Sequence, residues 1–303
     1  MILAVCPNPS IDILAEIDHF RLKSVNRFKK ELHYPGGKGV HVAMAVAEIA
    51  GQADLLGVWG GPSGAWIREE CKTRNVACYG PTVSGWTRSC YTFKSEDPRI
   101  NETEITGAGP HTSEQEYQAF VEEYSASLDR YEVVCMSGSV PPGFSSETYF
   151  HLLGLSKDKK TIIDCSGIAL EKALQRNPYC VHINIHEGKA LFDMDDPAQI
   201  AVKLKEHCAY AAVTNGADGL YLAHRDQLIH AAVRVDHVIS TVGSGDCLTA
   251  GLAVAISQQY PIAEMARLAV ACGAANCIYE ELGMLRSSDV EALNKKAQVK
   301  TIR

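Results

Sequence analysis

Four short apolar runs set the terms on which this chain can fold. Beside Val181-His-Ile-Asn-Ile185, a strand in which His182 and Asn184 alternate with apolar residues, Val133-Val-Cys-Met-Ser137, Thr161-Ile-Ile-Asp164 and Ala211-Ala-Val-Thr214 are continuous. Strands of that kind are buried on both faces, as in a parallel sheet covered by helices. Helical patterns run beside them, from Ser113 to about Leu128, Ser145 to Ser156, Ile168 to Arg176 and Asp196 to His207. Ser113 and Glu116 have the spacing of a capping box. Ile2–Cys6, Leu55–Trp59 and Val76–Tyr79 read as further strands, and Gly64–Thr73 as a helix. Repeated strand–helix units predict an α/β fold with a mostly parallel central sheet and helices on both faces.

Two stretches break this rhythm. Ile13 to Phe20 with Phe28 to Tyr34, and Thr87 to Phe93 with the run up to Ile105, alternate apolar and polar residues. Neighbouring strands of a parallel sheet need a long crossover between them, and these have none. Segments at about 12–34 and 87–106 are therefore expected to form a small β lid. A late hairpin is expected at Leu220–Leu222 and Leu228–Val233, then closing helices at Asp246–Gln258, Ile262–Glu281 and Ser287–Lys296. With no internal repeat or long linker, residues 1–303 are read as one domain carrying the lid.

The chain has 303 residues, 46% hydrophobic and 21% charged, with formal net charge −7, which suits a soluble protein with a large core. No basic tract stands out, so nucleic acid and anionic membranes are not expected partners. No run reaches the roughly 18 apolar residues of a membrane helix. Eleven cysteines without a Cys-x-x-Cys pair suggest reduced thiols and a cytoplasmic location.

The chemistry concentrates in Ser240-Thr-Val-Gly-Ser-Gly-Asp-Cys-Leu-Thr-Ala-Gly-Leu252. Gly243, Ser244 and Gly245 open a helix whose first amides have no partner, and such a start attracts an anion. A carboxylate there, Asp246, repels what the loop attracts. The conflict resolves if Asp246 takes a proton from a nucleophile attacking a phosphoryl group held by the amides. The competing reading is an ordinary glycine-softened helix start with Asp246 as cap.

Pro35-Gly-Gly-Lys-Gly-Val-His41 is a second glycine-rich helix start. It is not a Walker A loop, because Gly39 stands where that motif needs Ser or Thr. Lys38 can meet a ligand's charge there, or be a solvated surface lysine. Polar residues close the buried strands: Asp12, Ser137, Asp164, Asn184 with Glu187, and Asn215 with Gly216. In a parallel sheet these ends share the edge where ligands bind. Asp12 could hold substrate hydroxyls or simply cap a turn. Asn184 and Glu187 could serve a divalent cation, directly or through water, as magnesium on nucleotide phosphates requires. A zinc site at His182, His186 and Glu187 fails on geometry, since His182 lies in a predicted strand. A dinucleotide fingerprint at Gly243 fails because its third glycine is Leu248.

Pro7-Asn-Pro-Ser-Ile-Asp12, Pro35-Gly-Gly-Lys-Gly39, Ser137-Gly-Ser-Val-Pro-Pro-Gly143, Asn184-x-x-Glu187 and Val242-Gly-Ser-Gly-Asp246, in that order, resemble the ribokinase-like (PfkB) carbohydrate kinases over nearly the whole chain. Asn26-Arg27, Thr103-Glu-Ile and Gly109-Pro110 look most like the branch acting on phosphorylated ketohexoses, which includes 1-phosphofructokinases, tagatose-6-phosphate kinases and a 6-phosphofructokinase. The resemblance implies a three-layer sandwich with a β lid that pairs subunits into a homodimer. It implies ATP as phosphoryl donor, magnesium, and a sugar phosphate as acceptor, most simply fructose 1-phosphate. Asp246 would be the base, with the Gly243–Asp246 amides as anion hole. Asp12, Gly36, Gly37, Lys38, Arg88 and Ser137 would hold the sugar phosphate. Asn184, Asn215, Gly216, Gly243, Gly245 and Asn276 would line the nucleotide site, and Asn184 and Glu187 would serve the metal.

Three positions depart from the family pattern. His41 stands where many relatives carry Asn, Thr106-Gly-Ala108 replaces Asn-Glu-Pro, and His182-Ile183 replaces Lys-Pro before Asn184.

Overall fold

The Ile2–Cys6 strand, among the first residues of the chain, lies inside the sheet rather than at its edge. It pairs in parallel with Val133–Ser137 on one side and Ala53–Gly57 on the other. Its five residues are all buried, as the unbroken apolar run requires. The computed structural model describes residues 1–302. Seven strands run parallel, from Val76–Tyr79 at one edge through Ala53–Gly57, Ile2–Cys6, Val133–Ser137, Lys160–Asp164 and Cys180–Asn184 to Tyr210–Thr214. Leu220–His224, Gln227–Ala232 and Gln298–Thr301 continue the sheet antiparallel.

Side chains alternate between two cores, one on each face. Ile2, Ala4 and Cys6 join Cys135, Ile162 and Cys180 beneath the helices Lys38–Ala50, Ser244–Ser257 and Ile262–Asn276. Leu3 and Val5 join Val134, Met136, Ile163 and Val181 beneath Glu114–Ser127, Thr148–Leu155 and Pro197–Leu204. The result is the expected helix–sheet–helix sandwich. Ser113 and Glu116 form the predicted capping box.

Every residue of Ser244–Ser257 from Asp246 to Ile256 is buried. Its partner helix crosses so closely that a Cβ on Gly251 would lie 2.9 Å from Ala269 Cα and 3.0 Å from Cys272 Sγ. Dense packing on both sides holds this helix's amino end at the carboxyl edge of the sheet.

The interruptions form a second sheet. Ser10–Glu16 pairs antiparallel with Lys30–Gly36 and parallel with Arg88–Lys94, which pairs with Glu104–Thr106. Its strands begin nearer the glycine loop than expected, and the sequence beyond Glu16 does not continue as strand to Phe20. Phe20, Leu22, Val25 and Phe28 are exposed on the connecting segment. Two further elements were not anticipated: the helix Ile185–Phe192 and the edge strand Gln298–Thr301. Ile262–Asn276 also stops short of Glu281. Among the described residues no helix is long and apolar enough to cross a membrane, and all eleven cysteines are unpaired.

Candidate active site

Strand register puts the polar ends side by side. Ser137 lies opposite Asp164, and Asn184 opposite Thr214. Over this edge stand the two glycine-started helices. Gly37, at φ 94°, caps Lys38–Ala50, and Gly243, at φ 84°, caps Ser244–Ser257; neither has a side-chain cap. Positive φ is cheap only for glycine, so both starts depend on it.

At the second start, Ser244 N–H donates to Thr241 O at 3.1 Å and Cys247 N–H to Gly243 O at 2.9 Å. Among the described residues, the amides of Gly243, Gly245 and Asp246 have no protein acceptor. Gly243 to Gly245 are half-buried, so these donors face an accessible place. Three free amides at the positive end of a helix can hold an anion.

The Asp246 carboxylate beside them is 7% exposed and is paired. His41 Nδ1 lies 2.7 Å from Asp246 Oδ2, and His41 Nε2 lies 3.3 Å from Asp12 Oδ2. Asp12 Oδ1 accepts from Ser10 Oγ at 2.6 Å. A Cβ on Gly36 would sit 2.0 Å from Asp12 Cγ, so that glycine makes room for the carboxylate. Burial raises the Asp246 pKa above the ordinary carboxylate value, against the opposing pull of His41 and Lys38. Asp12 is lowered: burial acts upward, but His41, Ser10 and the Gly37 amide outweigh it.

Lys38 is not a free cation. Its Nζ lies 2.6 Å from Asp164 Oδ1 and 4.0 Å from Glu187 Oε1. Asp164 is 1% exposed and also takes Thr249 Oγ1 at 3.0 Å and His182 Nδ1 at 3.3 Å on Oδ2. Thr249 belongs to the Ser244–Ser257 helix, so this buried cluster ties the helix that carries Asp246 to the sheet edge. Although burial opposes it, Lys38's charge holds the Asp164 carboxyl below the usual range.

Asn184 and Glu187 form a second capping box, on Ile185–Phe192. Asn184 Oδ1 accepts from Glu187 N–H and Glu187 Oε2 from Asn184 N–H, both at 2.9 Å. That leaves Glu187 Oε1 free on the side facing Lys38. Among the described residues there is no cluster of three or more His, Cys, Asp or Glu that could hold a metal alone. Asp12, Asp164, Glu187 and Asp246 gather here around the basic side chains of Lys38, His41 and His182. The residues present fit a divalent ion carried in on phosphates and met by one free carboxylate oxygen, as magnesium is commonly held.

Other expected contacts are placed differently. Ser137 is fully buried and its hydroxyl has no partner, so it cannot face a ligand here; Ser139, two residues on and exposed, is within 3.2 Å of Asn8 Nδ2. Asn276 is 1% exposed and donates to Met284 O at 3.0 Å, which makes it a loop anchor inside the protein. Arg88 donates to Gly107 O at 3.1 Å and Asn8 O at 3.0 Å, tying the lid to the Pro7–Pro9 turn, with Nε buried and unpartnered. Asn215 Nδ2 donates to Asp218 Oδ2 at 2.9 Å, and Gly216, exposed at φ 51°, has open space where a Cβ would be. The sequence places Asp164 at the ligand edge without a role, and does not single out Thr249 or Gly283. Asp164 carried one signal, an acid closing a buried strand; Thr249 and Gly283 carried none.

The profile of pfkB family carbohydrate kinases matches residues 7–284. The chain belongs to this family. The pfkB chain is 32% identical over 291 residues to the 1-phosphofructokinase of Bacillus subtilis, covering 93% of this chain and 94% of that protein. Phosphofructokinase-2 from Escherichia coli, solved with fructose 6-phosphate, superposes with TM-score 0.86 at 23% identity, over 97% of this chain and 98% of that one. Ribokinase from Thermotoga maritima gives 0.81 at 20% identity, over 97% and 99%. These likenesses fix the pfkB chain's fold as ribokinase-like, a kinase scaffold with a mostly parallel sheet.

Proposed function

We propose that this chain transfers the γ-phosphoryl group of ATP to a hydroxyl of a ketohexose monophosphate, fructose 1-phosphate first among them. The observation that carries the reading is the Asp246 carboxylate standing beside three amides with no protein acceptor, in a member of a carbohydrate kinase family. Phosphoryl transfer demands positioning and charge stabilisation more than covalent chemistry. The free amides would take the oxygens of the transferring group. Asp246 Oδ2 is engaged by His41, so Oδ1 would take the proton as the acceptor oxygen bonds to phosphorus and the bond to ADP breaks.

Asp12 would hold sugar hydroxyls, with Gly36, Gly37 and Arg88 on the same side. Lys38, held between Asp164 and Glu187, is better placed for the transferring phosphoryl group than for the sugar's own phosphate. Asn215 and Gly216 would border the nucleotide. Magnesium, when bound with ATP, would neutralise phosphate charge near Glu187 Oε1. We read the 303 residues as one kinase domain, working in the cytoplasm as a homodimer through the lid, whose exposed Phe20, Leu22 and Val25 suit a partner surface.

A coupled ADP-release assay over fructose 1-phosphate, fructose 6-phosphate, tagatose 6-phosphate, free fructose and ribose tests this. The highest kcat/KM is expected on fructose 1-phosphate. A preference for fructose 6-phosphate or tagatose 6-phosphate would move the substrate within the class. A preference for an unphosphorylated sugar would overturn the reading.

A further inference from the structure

Among the described residues His41 is the one histidine that touches both acids assigned to the reaction. Its ring is 3% exposed. Nδ1 meets Asp246 Oδ2 at 2.7 Å, while Nε2 lies 3.3 Å from Asp12 Oδ2 without hydrogen-bond alignment to any acceptor. The surroundings are fitted to the ring. Gly283 adopts φ 68°, and a Cβ there would fall 2.2 Å from His41 Cδ2 and Cγ; a Cβ on Gly243 would lie 3.4 Å from Nδ1. Two glycines with positive φ thus frame an imidazole that lies between two carboxylates.

The chemistry of the pair needs that ring. A carboxylate buried as deeply as Asp246 favours its protonated form, and a protonated Asp246 cannot act as base. A charged imidazole carries a proton on each nitrogen, so Nδ1 can donate to Asp246 while Nε2 faces Asp12 as a positive charge at 3.3 Å; a neutral one leaves an acid facing a lone pair.

We infer that His41 is a positioning residue whose imidazolium clamps Asp12 to Asp246, keeps the base ionised and leaves its Oδ1 as the oxygen that takes the proton. This rests on the kinase reading above. Burial opposes the charge on His41, but its contacts with Asp12 and Asp246 and their charges prevail and push its pKa up to about 10. The charged groups around it are accounted for. Lys38 lies one turn earlier on its own helix, bound to Asp164. Glu104, on the lid, is raised by its own burial first and then by the Asp12 and Asp246 charges. On the Gly283 loop, Glu280 pairs with Lys30 and Lys94, and Glu281 with Arg74. For stability the sign is that of a raised histidine. The clamp contributes fully below the unfolded histidine pKa of about 6.5 and is lost as pH rises through about 10.

Two measurements decide it. In wild-type protein with 15N-labelled histidine, the His41 signal, assigned by its loss in His41→Asn, should report a doubly protonated ring at pH 8. In Asp246→Asn the ring's pKa should fall by at least about one unit. Separately, kcat is followed against pH with MgATP and fructose 1-phosphate for wild type, His41→Asn and His41→Gln. Both variants should move the acid limb upward by about one pH unit or more, as Asp246 loses the charge that keeps it ionised. KM for ATP should stay within about twofold, since the ring touches neither the free amides nor Lys38. A neutral ring at pH 7 in the wild type overturns the clamp, as does an acid limb unmoved in both folded variants. If the wild type phosphorylates no sugar, the kinase reading falls, and the nitrogen titration still decides the clamp alone.

Discussion

The two glycine-started helices use one backbone device for opposite charges. Lys38–Ala50 begins at Gly37 and Ser244–Ser257 at Gly243, both at positive φ and both without a side-chain cap. The first start turns inward. Its Gly37 amide lies 3.5 Å from Asp12 Oδ2, and its opening turns deliver two basic side chains, Lys38 and His41. The second keeps three amides open and delivers an acid, Asp246. Each helix supplies what the other lacks, and the His41–Asp246 contact joins them. The carboxylate among open amides is thus met by a basic side chain from the neighbouring start.

The largest expected effect comes from breaking the acidic half. Asp246→Asn should lower kcat by about 10²–10⁴-fold, the usual contribution of a general base. Binding of ATP, measured by calorimetry, should hardly change, because the open amides remain. Turnover within a few-fold of wild type would remove Asp246 from the chemistry.

Breaking the basic half should lower stability as well as turnover, and the stability effect is the one that reads the buried pair. Lys38→Met leaves Asp164, 1% exposed, without its main partner. Removing one member of a buried pair costs about 3–5 kcal/mol; Lys38, 39% exposed on its side chain, is screened by water, so a loss of about 2–3 kcal/mol is expected in urea unfolding at pH 7. The pH signature follows from the lowered Asp164 pKa. Its contribution is present above the unfolded Asp pKa of about 3.9 and is lost as pH falls below that. The variant should lose less stability than wild type on acidification. An unchanged unfolding midpoint at pH 7 would show that Lys38 does not hold Asp164.

Gly283→Ala tests the joint between the halves. An alanine there meets the His41 ring at 2.2 Å and must also adopt φ 68°. Gly51→Ala is the control, with φ 88° and nothing within 4 Å. Left-handed backbone alone costs about 1–2 kcal/mol. Gly283→Ala should exceed Gly51→Ala by a further 1 kcal/mol or so from crowding, as overpacked cores do, and only Gly283→Ala should depress kcat. Equal losses of stability with full activity in both would mean that the ring simply moves aside.

The sheet and the second glycine start were legible because they rest on local rules. Continuous apolar runs read as two-sided strands, and Gly-Ser-Gly-Asp reads as an open helix start. The partners were not legible, because they meet across large sequence distances. His41 finds Asp246, 205 residues away, and Lys38 finds Asp164, 126 residues away. Lys38 therefore read as a phosphate cation when its charge is already shared with a buried acid. Asn184 and Glu187 show the reverse difficulty. Their spacing is also that of a capping box, and the helix they cap, Ile185–Phe192, is too short to announce itself by periodicity. Ser137 and Asn276 were placed by motif and by segment, and only burial shows that their side chains point into the protein.

The smallest effect tests how the lid is tethered to both starts. Glu280 Oε2 lies 2.9 Å from Lys30 Nζ, and Oε1 lies 3.1 Å from Lys94 Nζ, so one carboxylate joins two lid strands to the loop that carries Gly283. These partners are partly exposed, and such pairs contribute about 0.2–1 kcal/mol each. Glu280→Gln should lower the melting temperature by at most a few degrees. The difference should shrink in about 1 M salt, where the Debye length falls to about 3 Å. If the two half-helix charges are coupled through this loop, KM for the sugar phosphate should rise in the variant with kcat nearly unchanged, because a loosened lid weakens binding without touching Asp246. A fall in kcat with KM constant would instead place Glu280 in control of the His41–Asp246 contact, and the lid would then belong to the charge exchange between the helices.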